Sequence, residues 1–252
     1  MRLTLHTFLT LDGVMQAPGG PGEDDDGGFA HGGWQTPYRD AVGGAAVIGS
    51  FKNASAFLLG RRTYENFSRF WSTVTDPANL IAAKLNALPK YVASTTLTSV
   101  DWHNSSLLGG DLATEVAKLK ELPGDELQVH GSGELAQTLI EHDLIDEYRL
   151  MVFPIVLGKG KHLFQDGRIL ELVDSKTFGT GSSPSPTGSK GVRQDEQRRY
   201  ERLRRGQRPQ HVLRAPWGRP SARAAPWRVR HHRELIRRAA AGARVLRTAR
   251  PS

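Results

Sequence analysis

Through the first 181 residues, short runs of β-forming residues alternate with stretches of helical apolar spacing, and this alternation leaves few folds open. "RLTLHTFLT" reads as an opening strand and runs into "LDGVMQAPGGPGEDDDGGFAHGGW", a Gly- and Asp-rich loop of a length usually reserved for function. "TPYRDAVGGAAVIGSFKNA" is helical, with Pro37 suited to a first turn. "AFLLG" (56–60) is a short buried strand, "TYENFSRFW" and "NLIAAKLNAL" are helices, and "KYVAS" (90–94) is a strand. In "DLATEVAKLKEL" (111–122), apolar residues at 112, 113, 116 and 119 form a helical stripe that Pro-Gly ends. "LQVHG" is a strand, "GELAQTLIEHD" a helix, "DEYRLMVFPIVLG" a longer strand region, and "RILELVDSKTF" alternates like one more strand. Strands that alternate with helices predict an α/β domain whose largely parallel sheet is covered on both faces.

Composition divides the chain in two. Residues 182–252 hold 18 Arg and one Lys, Lys190, against four acids, a net of +15. The other 181 residues carry 15 bases and 22 acids, a net of −7. The chain therefore reads as an acidic globular domain with a basic tail, and its pI near 10.0 describes neither half. The absence of Cys excludes disulfides, thiolate nucleophiles and Cys-ligated zinc. "MRLTLHTFLTLDGVMQ" makes a poor signal peptide because Thr4, His6, Thr7, Thr10 and Asp12 interrupt its apolar run. No apolar run approaches the length of a membrane span, so a cytoplasmic protein without a transmembrane segment is expected.

In a parallel sheet ligands gather at the carboxyl ends of the strands. Three predicted strand ends carry small polar residues: Gly60 onward, Ser94-Thr95, and Gly131-Ser132-Gly133. Exposed backbone N–H groups at a helix N-terminus suit a phosphate, and "GSGE" supplies two glycines and a hydroxyl there. The plain alternative is a Gly-rich turn where strand and helix pack closely. The letters Gly131-Ser-Gly133-Glu-Leu-Ala136 also match a Rossmann fingerprint, but that unit needs an acid ending the next strand. "FPIVLGKGK" has none, which disfavours the Rossmann reading. In "GRRTYENF", Arg61 and Arg62 stand at a helix start, where their charge opposes the dipole unless an anion sits nearby. Thr63 can cap that helix or bond a phosphate oxygen.

Taken together, "LDGVMQ", "LLGRRTYENF", "YVAST" and "VHGSGELAQTLIEHDLIDEYRLMVFPIVLGKGKHLF" resemble the dihydrofolate reductase-like superfamily over about residues 1–181. The nearer branch is similar to the C-terminal reductase domain of the bifunctional riboflavin-biosynthesis deaminase-reductase. The resemblance implies a three-layer αβα domain, a mostly parallel central sheet with antiparallel C-terminal strands, NADPH as hydride donor, and a homodimer. It implies that Gly60, Arg61, Arg62 and Thr63 hold cofactor phosphates and that Ser94 and Thr95 lie near the adenosine 2′-phosphate. It further implies that Gly131, Ser132, Gly133, Glu134 and Leu135 turn at the pyrophosphate, while Asp12 and Gly13 border nicotinamide and substrate. The implied activity is reduction of a small heterocyclic or ribosylamino-pyrimidine substrate. The sequence departs from the bifunctional enzyme in having no Cys for a deaminase zinc site and no evident set of basic residues for a ribose phosphate.

Hydride transfer holds the nicotinamide about 3–3.5 Å from an electrophilic carbon and needs a proton source. The candidate acids are Asp12 and Asp40, the latter following a Trp and a Pro at a helix start as the substrate-binding acid of dihydrofolate reductase does. Their plain alternatives are a tight turn for Asp12 and a first-turn carboxylate for Asp40. His130 reads as a core histidine and His31 as a loop histidine. "GEDDDGG" (22–28) lacks the ligand spacing of a calcium loop and reads as a solvated lid; no metal site is expected. Lys159 and Lys161 border the substrate side or simply belong to a Gly-rich turn.

Residues 182–252 hold nine Leu, Ile, Val or Phe and seven prolines, too few apolar groups to build a core. An Arg-to-Lys ratio this high is what a GC-rich gene gives when read out of frame, which points to a frameshift near residue 181 that replaced the last strand. Re-sequencing the locus tests this: a next frame without an apolar strand of the "V-V-L-x-x-Y" kind would rule it out. The competing reading is a functional arm in which "HHRELIRRAAAGARVLRTAR" forms a basic amphipathic helix for nucleic-acid phosphates or anionic membranes. The adjacent His231 and His232 do not share a helix face and make a poor metal site.

Overall fold

The structure is a computed structural model that describes residues 1–177 and 242–248. Its strands are β1 (Arg2–Thr10), β2 (Ala54–Gly60), β3 (Lys90–Ala93), β4 (Ser105–Leu107), β5 (Glu126–His130), β6 (Glu147–Phe153), β7 (Leu170–Thr177) and β8 (Gly242–Thr248). The helices are α1 (Ala41–Ser50), α2 (Arg61–Trp71), α3 (Leu80–Ala87), α4 (Leu112–Glu121) and α5 (Gly133–Glu141). One sheet runs in the order β4-β3-β2-β5-β1-β6-β8-β7. Its first six strands are parallel, and β8 pairs antiparallel with both β6 and β7. This is the α/β architecture expected from the sequence, with its antiparallel strands at the C-terminal edge.

Three elements differ from the sequence reading. Strand β4 is only three residues long, too short for a periodicity to show, and is held through its pairing with β3. The helix read from Thr36 is broken at Asp40: Thr36–Tyr38 form a 3₁₀ turn, Arg39 is extended, and α1 starts behind Asp40. Residues 242–248, read as part of a coreless basic tail and, in the competing reading, of a basic helix, form β8 and occupy the position beside β6 that the sequence reading left without its strand. A strand there satisfies backbone groups that β6 and β7 would otherwise expose at an edge. The rest of the predicted tail, 182–241 and 249–252, lies outside the described residues, and with it the remainder of the arm reading.

Period-two alternation gives the central strands two unlike faces. Leu3, Leu5 and Leu9 of β1 join Leu127 and Val129 of β5 and Leu150 of β6 in one core. Val116 and Leu119 of α4 and Leu135, Ala136 and Leu139 of α5 close that core. A second core, built on Phe57, Leu59 and Val92, takes Tyr64 of α2 and Leu85 of α3. Lys90 is fully buried beside it, its Nζ donating to the carbonyls of Leu85 (2.7 Å) and Leu88 (3.0 Å) over the Trp102 ring. Burial pushes that ammonium down to about 8.

The opposite face of β5, β1 and β6 is polar. Register aligns Arg2 with Glu126, Thr4 with Gln128 and Glu147, and His6 with His130 and Arg149. Arg149 bonds Glu126 at 2.6 Å and Glu147 at 2.8 Å, and Arg2 reaches the same two acids at 2.9 and 3.1 Å. Both carboxylates are almost fully buried, so each must be paired to remain charged. Burial opposes ionisation of Glu126, but Arg149, Gln128 and Arg2 outweigh it and hold its carboxyl below the usual range. Gln128 ties the ladder to α1 by donating to the Ser50 carbonyl at 2.8 Å. Above the ladder, the His130 ring is stacked between Phe51 (4.3 Å) and His6 (4.7 Å).

Two outcomes follow from this face. Arg149→Ala takes one of two guanidinium partners from each of the buried Glu126 and Glu147 and is expected to cost roughly 3–5 kcal/mol in denaturant unfolding; a loss below about 1 kcal/mol would show the ladder to be idle. The second concerns pH. Burial and the neighbouring Arg149 lower His130 to about 3, so below its unfolded value near 6.5 the unfolded chain takes up a proton that the folded chain refuses. Stability should therefore fall as pH drops from about 6.5, by about 1.4 kcal/mol per unit from this residue alone. The Glu126 contribution is lost later, as pH falls through its own depressed value. His130→Phe should flatten the slope between pH 6.5 and 5; an unchanged slope would assign the effect elsewhere.

Candidate functional site

Because β1 to β6 are parallel, their carboxyl ends share one edge of the sheet, and a cleft of about 1300 Å³ opens there. After β1 the chain lays β2, β3 and β4 outward to one side, then returns to insert β5 between β2 and β1, so the strand order reverses where the cleft lies. All the residues expected to hold the cofactor line it: Gly60, Arg61, Arg62 and Thr63 after β2; Ser94 and Thr95 after β3; and Gly131, Ser132, Gly133, Glu134 and Leu135 after β5.

The turns after β2 and β5 are stitched together. Ser132 Oγ accepts from the Gly60 amide at 3.1 Å and donates to the His130 carbonyl at 3.0 Å. Ser132 holds φ +56°, a left-handed conformation in which its hydroxyl serves these two groups rather than capping its own helix. Gly131 beside it, also left-handed at φ +55°, donates its amide to the His6 carbonyl at 2.9 Å. A methyl group on Gly131 would come within 3.8 Å of Thr63 Oγ1, so the two turns face one another closely. Ser94 Oγ accepts from the amides of Thr96 (3.1 Å) and Leu97 (2.9 Å), folding the third turn.

The helix starts around the cleft differ in how they are capped. Asp40, Asn79 and Asp111 cap α1, α3 and α4 with side-chain oxygens. The starts of α2 and α5, behind Gly60 and Ser132, have no side-chain cap. Their first-turn amides face an open cleft, an arrangement that suits anionic oxygen.

The acidic stretch read as a solvated lid is anchored instead. Gln16 Nε2 donates to the carbonyls of Asp24 (3.1 Å) and Asp26 (3.0 Å), fixing the loop backbone. Arg62 pairs with Asp24 and makes a forked pair with Asp26 at 2.8 and 2.9 Å. Lys161 bonds the same two carboxylates at 2.9 and 2.6 Å, with Glu134 3.8 Å away. The hydrogen bonds from Arg62 and Lys161 hold the Asp26 carboxyl far below the carboxylate range. In Asp24 burial opposes ionisation, but the same partners outweigh it and lower this carboxyl too. Sequence reasoning missed the convergence of Lys161 and Arg62 on the same two carboxylates because the two cations lie about a hundred residues apart. The only signal was the presence of Asp-rich and Lys-rich turns in an otherwise ordinary domain.

Asp12 and Asp40 stand apart from the cleft lining. Asp40 Oδ1 accepts from the Gly43 amide at 2.6 Å and caps α1, the role that the helix dipole favours. Asp12 accepts from Thr10 Oγ1 (2.6 Å), the Gly158 amide (2.7 Å) and the Leu157 amide (3.2 Å). Burial acts against its charge, but these bonds prevail and keep its carboxyl below the usual range. It thereby ties the first loop to the turn after β6. His31 is exposed beside Phe29, and Lys159 does not line the cleft. Among the described residues no group of three or more His, Asp or Glu is placed to hold a metal ion. No helix among them is long and apolar enough to cross a membrane.

Comparison with known proteins agrees with this architecture. Two uncharacterized proteins of Bacillus subtilis (strain 168) are similar: YyaP, 29% identical across 71% of this chain and 90% of its own, and YwjB, 27% identical across 71% and 92%. A solved structure from Shewanella sp. PV-4, named for riboflavin biosynthesis, superposes with a TM-score of 0.50 at 24% identity, covering 70% of this chain and 92% of that one. At that identity the likeness speaks for the fold. The model of the RibD C-terminal domain matches residues 2–183, and the chain belongs to that family.

Proposed function

We propose that the protein is an NADPH-dependent reductase acting on a small heterocyclic or ribosylamino-pyrimidine substrate. Membership of the RibD C-terminal domain family supports a reductase of the riboflavin-biosynthesis type. The observation that carries the nucleotide part is the pair of uncapped helix starts, α2 and α5, facing one cleft with Arg61, Arg62 and Thr63 beside them. The residues present fit a dinucleotide: two small turns let its backbone approach closely, and orphan amides with guanidinium groups meet its phosphates. NADPH, when bound, supplies the hydride; the chain's own residues orient the cofactor, receive the substrate and exclude water.

The remaining wall is the substrate end. Phe8, Phe51 and Met151 line it together with Val42, Ala45 and Ala46 of α1. Arg149, which lines this end, already serves Glu126 and Glu147. This end therefore favours the flat ring of a substrate over a phosphate attached to it. A second reading, a nucleotide-binding domain without turnover, is favoured by one observation: both candidate proton donors, Asp12 and Asp40, are committed to structural bonds.

Thermal melts test the cofactor reading. NADPH is expected to raise the melting temperature clearly more than NADH, and a melting temperature indifferent to NADPH would sink it. Arg62→Ala should weaken NADPH about tenfold, the scale of one charge-assisted contact, and NADH less. Equal losses for both would remove Arg62 from the 2′-phosphate. Consumption of NADPH with a flavin-pathway pyrimidine separates the reductase from the binding domain.

A further inference from the structure

Arg62 and Lys161 come from distant parts of the chain, the start of α2 and the turn after β6, yet they meet around the same two carboxylates. Asp26 meets the Arg62 guanidinium with both oxygens, at 2.8 and 2.9 Å, the forked geometry that a phosphate also offers. All but Asp26 of these four side chains line the large cleft, and the uncapped start of α2 lies beside them. Asp24 and Asp26 match the two cations in charge, and Glu134 stands 3.8 Å from Lys161 as a third carboxylate, so an incoming anion finds its cations already engaged. The loop that carries the acids is not held by these pairs alone. Gln16 fixes its backbone at Asp24 and Asp26, and Gln16 Oε1 also accepts from the Lys161 amide at 3.0 Å. Trp34 Nε1 donates to the Gln16 carbonyl at 2.7 Å, and Phe29 and Trp34 anchor the loop in an apolar cluster.

We propose that Arg62 and Lys161 together form a phosphate subsite of this cleft, and that Asp24 and Asp26 are intramolecular competitors for it. Lys161 is then a binding residue for the nucleotide, and the Asp24–Asp26 segment sets how strongly an anion must bind to take its place. The assignment of the ligand as a nucleotide rests on the reductase reading; the competition between carboxylate and phosphate does not. Competitors that hold the cations about nine-tenths of the time lower apparent affinity about tenfold. Arg62 keeps its guanidinium charged whichever anion it meets, so only the partner changes.

Asn at both positions removes the charge, keeps the size and leaves the Gln16 bonds, which go to backbone. Isothermal titration of the full chain with inorganic pyrophosphate, and separately with NADPH, tests the proposal, with a thermal melt of each variant to confirm folding. Asp24→Asn with Asp26→Asn is expected to bind pyrophosphate about tenfold more tightly, with the gain shrinking at high salt. Lys161→Gln is expected to bind it more weakly than the unaltered chain. Equal or weaker pyrophosphate binding by a folded double variant overturns the competition and leaves the acids as positioning residues for Arg62. Unaltered binding by Lys161→Gln overturns the subsite. Tighter pyrophosphate binding with no NADPH binding by any form supports the subsite and refutes the nucleotide reading.

Discussion

Two arginines, Arg2 and Arg149, hold Glu126 and Glu147 across β5, β1 and β6, and the rest of the architecture depends on that ladder. Strands in the middle of a parallel sheet are ordinarily apolar on both faces, because helices cover both. Here one face is apolar and packs on α4 and α5, while the other carries charge under α1 and the cleft. A buried pair is seldom the most stable use of such positions, since well-packed apolar groups of similar volume often do as well or better. What the ladder supplies is a floor that is polar, rigid and already satisfied. Glu126 bonds Gln128, and Gln128 bonds His130, so the order passes along β5 to the imidazoles at the cleft.

From that floor the strands deliver their ends to one edge. The turns after β2 and β5 would be independent loops if each helix were capped by its own side chain. Ser132 commits its hydroxyl to Gly60 and His130 instead, which fixes the spacing of two helix starts and leaves both sets of first-turn amides without a side-chain cap. The starts of α1, α3 and α4 each carry a side-chain cap, so the two uncapped starts are those at the turns that Ser132 joins. A Ser hydroxyl suits this junction because it is small and can accept and donate at once.

Much of this was legible in the sequence because it is local. Strand alternation, the Pro-Gly stop after α4 and the small residues at three strand ends are statements about neighbours in the chain, and the structure places those strand ends around one cleft. What escaped was decided by distant partners. Asp40 reads as a first-turn carboxylate rather than a site acid, but its role as the cap of α1 shows only in the bond from the Gly43 amide. Asp12 gains its meaning from Leu157 and Gly158, some 145 residues away. The residues "GEDDDGG" have the composition of a solvated loop, and only Arg62, Lys161 and Gln16 reveal it as anchored. Strand β8 is the extreme case: alternation cannot forecast a strand whose partners, β6 and β7, are chosen by an unfilled place beside them.

The first loop combines an apolar base with a charged tip, and the two halves obey different physics. Val14, Ala17, Phe29 and Trp34 bury the base with Phe153, and Gly160 presses so close that a Cβ there would lie 2.6 Å from Val14 Cγ1. Such packing resists change, because interiors are dense and a displaced ring has nowhere to go. The tip is held by ion pairs that are roughly one-third to one-half exposed on most of their members, where each pair is worth little and salt weakens it. A carboxylate can therefore leave Arg62 or Lys161 without melting the loop beneath it. Rigid below and exchangeable above, the loop can present two fixed carboxylates to a cation pair and still yield them to a stronger anion.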